Sequence, residues 1–312
     1  MPTSTKLRKL PFFSLTAAAI AFSQGTFAHT RLEIPSVTEG TFNSATHFQS
    51  NKVHNYEAIG HGCKDSNGGV TTSTLGTTVV FPNAISYQPI IGVDSGSGKV
   101  YATNQNASSY YAPLAGLGTL INTGVWPLGN VKTDALGNLD GFWAGGTIYN
   151  QNPPRYIDVE FYSNTVTIAS ASCARTVTFY LAIADVCDAS VHSTIAADEQ
   201  VLYWSPIPNF PGVPGQPFGA KVADPNRNIP VAHAYSQYDG YADAAHTIAG
   251  DGWGSPATLT VRRDLVNNPL PSNCTGNGGK GDDVHVYPAA AQINEELPAW
   301  SNPDQTGINY WK

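Results

Sequence analysis

The residues with the most specific chemistry lie at one point near the start of the chain. Three basic residues, Lys6, Arg8 and Lys9, precede an apolar stretch from Leu10 to Phe22 and a run that ends in Thr26-Phe27-Ala28. That order is the pattern of a secretory signal peptide over residues 1–28, and cleavage after Ala28 makes His29 the first residue of the exported chain. The free α-amino group, with a pKa of about 8, and the imidazole of His29 then chelate one metal together. The amine gives up its proton to a strongly binding cation at little cost. A second imidazole across from this chelate completes a planar three-nitrogen set, the geometry that Cu(II) prefers. Met1 is the only methionine and lies in the leader, so thioether donors suited to Cu(I) are missing. Copper, as Cu(II), is the expected ion.

Further donors are expected in NKVHNYEAIGHGC, residues 51–63. An extended segment sends alternate residues to opposite faces, so Glu57 and His61 share one face while His54 and Tyr56 take the other. His61 stands beside Gly62, where backbone can approach closely. Its plainer reading is a turn residue bonded to backbone. His47, His192, His233, His246 and His285 are scattered among polar segments and read as surface residues. The Asp/Asn-rich run NGGKGDDV, residues 277–284, is a loose match to a Ca²⁺ loop.

These donors must be positioned by strands. Short β-prone runs recur at 30–34, 53–59, 77–81, 90–93, 100–103, 141–148, 156–161 and 165–169, and the strongest spans 176–186, with Asn, Gly, Ser and Pro between them. This spacing predicts an all-β, immunoglobulin-like sandwich of antiparallel sheets. No convincing 3.6-residue apolar period appears before residue 200, so helices are few. From Ser205 the texture changes to WSPIPNFPGVPGQPFG, where closely spaced Pro and Gly deny regular hydrogen bonding. The organisation expected is a leader over 1–28, a sandwich over 29–205 and a loop-rich extension over 206–312. One further strand at 257–263 and a short helix at 288–297 fall in that extension, which packs on the sandwich because so few apolar runs cannot build a core alone.

Composition narrows the function. Charged residues make up only 12% of the chain and the net charge is −7, so nucleic acid is a poor partner. Removal of residues 1–28 takes away three positive charges and no negative ones, which makes the exported chain more acidic still. The apolar stretch of the leader is too short for a membrane span of roughly 20 residues, and no later run approaches that length. Cys63, Cys173, Cys187 and Cys274 have no metal-finger spacing, and an even number in an oxidising compartment reads as two disulfides. The expected location is the periplasm or the cell surface and beyond. No nucleophile elbow and no HExxH helix is present, and SGSGK at 95–99 lacks the spacing and the Ser or Thr of a phosphate loop.

HTRLEIPSVTEGTF at the new terminus, the strand ending in GHGC, the following TTSTLGTTVVFPNAI, the later FWAGG, and AIADVC with LYW together resemble the YcnI-like family of exported copper-binding proteins. The likeness is patchy and covers roughly residues 29–205. It implies a cupredoxin-like sandwich that begins at a histidine, with a metal site that also uses a carboxylate and lies near a tryptophan. Carried over, it makes His29 the terminal chelate, with Trp143 of WAGG the first aromatic neighbour and Trp204 the second; core packing is the plainer role for both tryptophans. It further implies that Cys63 pairs with Cys187, which leaves Cys173 for Cys274. The family carboxylate has no unambiguous match, because His61-Gly62-Cys63 stands where some members carry an acid, and His61 or Glu57 is the replacement.

Three functions follow. The first is copper binding for acquisition, storage or delivery, with another copper-handling protein as the partner that delivery implies. The second is a histidine-brace copper monooxygenase acting on a polysaccharide. The third is a non-catalytic surface protein without metal. The residues favour a carrier over an enzyme without deciding between them.

Overall fold

Alternation of apolar and polar residues along short strands builds three sheets around one core. The computed structural model describes residues 30–39, 52–60, 63–64, 71–82, 85–112, 119–149, 156–164, 166–187, 201–204, 257–289, 292 and 296. A four-stranded sheet runs in the order β1 (Arg31–Leu32), β3 (Lys52–Ile59), β12 (Ile157–Asn164), β9 (Thr119–Asn122). A five-stranded sheet runs β10 (Leu128–Thr133), β11 (Leu139–Tyr149), β6 (Thr74–Val80), β14 (Ala182–Cys187), β15 (Val201–Trp204). A six-stranded sheet runs β2 (Ser36–Thr38), β16 (Thr258–Arg262), β13 (Ala174–Tyr180), β17 (Asp282–Tyr287), β7 (Ile90–Asp94), β8 (Tyr101–Ala102). The pair β4 (Cys63–Lys64) and β5 (Thr71–Thr72) forms a small separate ladder. The protein is thus all-β with almost no helix, and its pairings are antiparallel except β13 with β17 and β16 with β2.

The core takes one face of each sheet. Ile157, Val159 and Phe161 of β12, Val79 of β6 with Phe142 and Ala144 of β11, and Val177 and Phe179 of β13 belong to one buried cluster. Their neighbours in sequence point away, as the two-residue period of a strand requires. β6 is buried along its whole length, the sign of a strand covered on both faces.

Two expectations change. The run 176–186 is not one strand: it divides at Leu181, so that β13 belongs to the six-stranded sheet and β14 to the five-stranded one. There Leu181 donates its backbone N–H to Ala257 instead of to either sheet ladder. Of the run 165–169, residues 166–169 are described and carry a single bridge, Ile168 to Tyr111, with the N–H of Ile168 donated to the Glu39 carboxylate.

Residues beyond 206 enter the sheet itself. β16 and β17 flank β13 on both sides, and a disulfide joins Cys173, just before β13, to Cys274 in the segment leading to β17. A disulfide typically stabilises a fold by about 2–4 kcal/mol. Gly281 passes the bridge so closely that a Cβ there would meet the Cys173 carbonyl at 2.7 Å, and its φ of +89° suits glycine. The expected Cys63–Cys187 pairing depends on side chains outside the described residues. Of the helix expected over 288–297, Pro288 and Ala289 are described and are not helical, whereas Gln292 and Glu296 are described and are helical. No helix among the described residues is long and apolar enough to cross a membrane.

Candidate functional site

The register of β3 sends Glu57 into the core. Glu57 is paired with Leu32 of β1 on one side and Val159 of β12 on the other, both buried, and is itself fully inaccessible. Across the sandwich, Asp185 of β14 is paired with Thr77 of β6, one two-residue step from the core pair Ile183 and Val79. Two acids therefore occupy positions where the strand period calls for apolar side chains.

A single hydroxyl stands between them. Thr77 Oγ1 lies 2.8 Å from Glu57 Oε1 and 2.8 Å from Asp185 Oδ1. The other oxygen of Asp185 accepts a hydrogen bond of 2.6 Å from Thr30 Oγ1. Glu57 Oε2 is buried and has no hydrogen-bond partner. Among the described residues no ion pair reaches Glu57. Burial, reinforced by the charge of Asp185, holds the Glu57 carboxyl well above the usual carboxylate range, against the Thr77 hydrogen bond. Leaving a buried carboxylate oxygen without a donor is costly, so the pair requires either a proton or a cation.

Thr30 places this pair in the chain: it is the residue that follows His29. His29 and His61 lie outside the described residues, so the structure joins only Glu57 of the expected ligands to the new cluster. Among the described residues no three His, Cys, Asp or Glu side chains converge as a metal-binding group. The two acids are a partial donor set. Trp143 of β11 is paired with Thr78, whereas Ala144 is paired with Thr77, so Trp143 points to the opposite face of the sheet from Thr77 and Asp185. Trp204 of β15 is paired with Ile183, one two-residue step along β14 from Asp185. Thr30, Thr77 and Asp185 escaped the sequence reading. The signal for Asp185 was the acid inside the apolar run AIADV, in phase with Ile183.

Several other polar side chains are bound within the chain. His54 and Tyr56 take the opposite face of β3 from Glu57, where both reach Glu160 Oε1, at 2.5 Å from Nε2 and 3.3 Å from the phenol oxygen. His285 lies in β17 and not in a loop; its Nδ1 is 2.9 Å from the Tyr180 hydroxyl, and burial lowers its pKa. Asp283, in the run that resembled a Ca²⁺ loop, is held by Arg175 and Thr176. A cleft of about 710 Å³ lined in part by Glu39, Tyr111 and Asn268 lies elsewhere, and Glu39 there accepts from Ile168, Asp264 and Asn268.

A second buried acid pair joins the C-terminal helix to the sheet. Gln292 and Glu296, one helical turn apart, are buried where β10 and β11 meet. Gln292 Nε2 donates to the Phe81 carbonyl at 2.7 Å and to Asp140 Oδ1 at 3.1 Å, while Lys132 Nζ donates to Glu296 Oε1 at 2.9 Å. Burial first, and then the charge of Asp140, pushes the Glu296 carboxyl up to about 7, against the pull of Lys132. No family model matches the chain, and no curated protein or solved structure matches it.

Proposed function

We propose that this is an exported Cu(II)-binding protein, in which the amino and imidazole nitrogens of His29 chelate the ion and Glu57 supplies a carboxylate, serving copper acquisition, storage or delivery. The observation that carries the reading is the buried Glu57, with one oxygen lacking a partner, linked through Thr77 and Asp185 to the residue next to His29. The terminal chelate contributes nitrogen donors and the core contributes oxygen, a mixture that suits Cu(II) better than Cu(I). The leader pattern, the absence of methionine after Met1 and the patchy likeness to YcnI-like proteins support the same reading. The Cys173–Cys274 disulfide agrees with an oxidising compartment.

Amino-terminal sequencing of the exported protein, with Cu(II) titration of wild type and of a correctly cleaved His29→Ala variant, tests it. A chain that starts at His29 and loses tight one-to-one binding on substitution is the expected result. A different start, or an unchanged affinity, removes the terminal chelate and leaves a disulfide-bonded surface protein.

A further inference from the structure

We propose that the helical segment carrying Gln292 and Glu296 is docked on the five-stranded sheet through one proton held between Glu296 and Asp140, and that the segment loosens from the sheet when this proton leaves. Asp140 and Glu296 are 2% and 1% exposed. Lys132 is the one cation that acts on the two acids among the described residues. Two carboxylates beside one ammonium leave a net negative charge where water hardly reaches, which is costly. One proton removes that charge.

The surrounding contacts leave room for the proton between the acids. Lys132 Nζ donates to Glu296 Oε1 at 2.9 Å, and Gln292 Nε2 donates to Asp140 Oδ1 at 3.1 Å. Glu296 Oε2 is buried and meets no donor of the chain. The two carboxyl groups lie within hydrogen-bond reach of one another, a contact that is favourable only when one of them carries a proton. A protonated Glu296 donates to an ionised Asp140, whose charge Lys132 balances. Every one of these contacts joins the segment to the sheet: Gln292 and Glu296 stand one helical turn apart, whereas Lys132 belongs to β10 and Asp140 to β11, and Phe81, whose carbonyl also accepts from Gln292, directly follows β6.

The sign of the dependence follows from the neighbours. Burial first, and then Asp140, pushes the Glu296 carboxyl up to about 7, while Lys132 and Gln292 oppose. Asp134, in the turn between β10 and β11, raises Asp140 further. A carboxyl whose folded pKa lies above its unfolded value favours docking when protonated, so docking is tightest below about pH 4.5 and weakens as pH rises through 7.

Hydrogen exchange of the exported full-length chain at pH 5 and pH 8, corrected for the intrinsic rate and read by mass spectrometry, tests the proposal. Protection of a peptide over residues 290–297 is expected to fall on the order of tenfold to thirtyfold at the higher pH relative to a peptide over β13. Glu296→Gln keeps a neutral donor towards Asp140 at every pH, so this relative fall should vanish in that variant. A glutamate carboxyl ¹³C resonance that titrates near pH 7 in wild type and is missing from the variant identifies the group. If Glu296→Gln does not fold, Asp140→Asn removes the other charge and should abolish the fall in the same way. Protection that does not depend on pH in wild type, or an equal dependence in the folded variant, overturns the proposal.

Discussion

Asp140 and Glu296, like Glu57 and Asp185, are acids almost wholly removed from water, yet their surroundings differ in kind. Around Asp140 and Glu296 the chain provides a lysine cation from β10 and the amide of Gln292, which donates to Asp140 and to the Phe81 carbonyl at the same time. Around Glu57 and Asp185 it provides two threonine hydroxyls and, for Glu57, no ion pair among the described residues. The first arrangement works as a latch that fastens the C-terminal helix to the five-stranded sheet. The second leaves Glu57 with one bare oxygen and no cation among the described residues. Glu296 Oε2 and Gln292 Oε1 are as bare as Glu57 Oε2, so burial of an acid and a missing hydrogen bond are not by themselves a sign of function; what separates the two pairs is the lysine cation beside Glu296.

The sharpest way to break the contrast is to make the latch resemble the site. Lys132→Met leaves Asp140 and Glu296 without their cation. Breaking a fully buried ion pair costs about 3–5 kcal/mol; because Lys132 is 36% exposed, a loss of about 2–3 kcal/mol at pH 8 is expected. Urea denaturation checks it, and Glu296→Gln in the same chain should restore most of the loss by removing the stranded charge. A loss below about 0.5 kcal/mol in the single variant, the range of an ordinary surface change, would show that the lysine does not complete the pair.

A somewhat smaller effect appears in the pH dependence of the latch. The Glu296 carboxyl is raised to about 7 by burial and by Asp140, with Asp134 also acting on the shared pair and Lys132 opposing. A carboxyl whose folded pKa lies above its unfolded value favours folding when protonated. Its contribution is therefore full below about pH 4.5 and falls as pH rises towards 7, above which it is spent. At about 1.4 kcal/mol per pKa unit, reduced for sharing with Asp140, roughly 2 kcal/mol is at stake. Urea midpoints measured between pH 4 and 8 should fall in wild type, and the fall should be smaller by that amount in Glu296→Gln. Equal slopes in the two proteins would place the titration elsewhere.

Much of this architecture was legible because alternation of apolar and polar residues marks a strand wherever one face is wet, as at residues 156–161 and 258–262. The change of sheet at Leu181 left no mark, since a strand that passes from one buried environment to another stays apolar throughout. β17 was hidden by its own opening pair, Asp282-Asp283, which looked like ion ligands, although Val284 and Val286 behind them carry the core. The candidate site was half legible for the same reason. Glu57 stood out beside two histidines in a segment read for donors, whereas Asp185 lay in a run read only for strand strength. Trp143 is the aromatic neighbour that the family likeness implies, but the register of β11 turns it to the other side of the sheet from Thr77 and Asp185. Residue type announces chemistry; only phase within a strand says which layer receives it.

The smallest change is also the most direct test of that difference, because it gives the metal-free site what the latch already has. Glu57→Gln replaces a carboxylate by an amide of nearly the same shape, with two donors that can reach Asp185 or Thr77, much as Gln292 serves Asp140. It fixes the neutral form that burial and Asp185 both favour and removes the cost of ionising the carboxyl. A buried carboxyl that must ionise as pH rises costs stability, which an amide does not, so the metal-free protein should gain up to about 1 kcal/mol in urea denaturation at alkaline pH. The same variant should lose much of its Cu(II) affinity, so that stability and binding move in opposite directions. Destabilisation of the metal-free chain by Glu57→Gln would mean that the fold already completes this carboxylate, and the distinction between the two acid pairs would collapse.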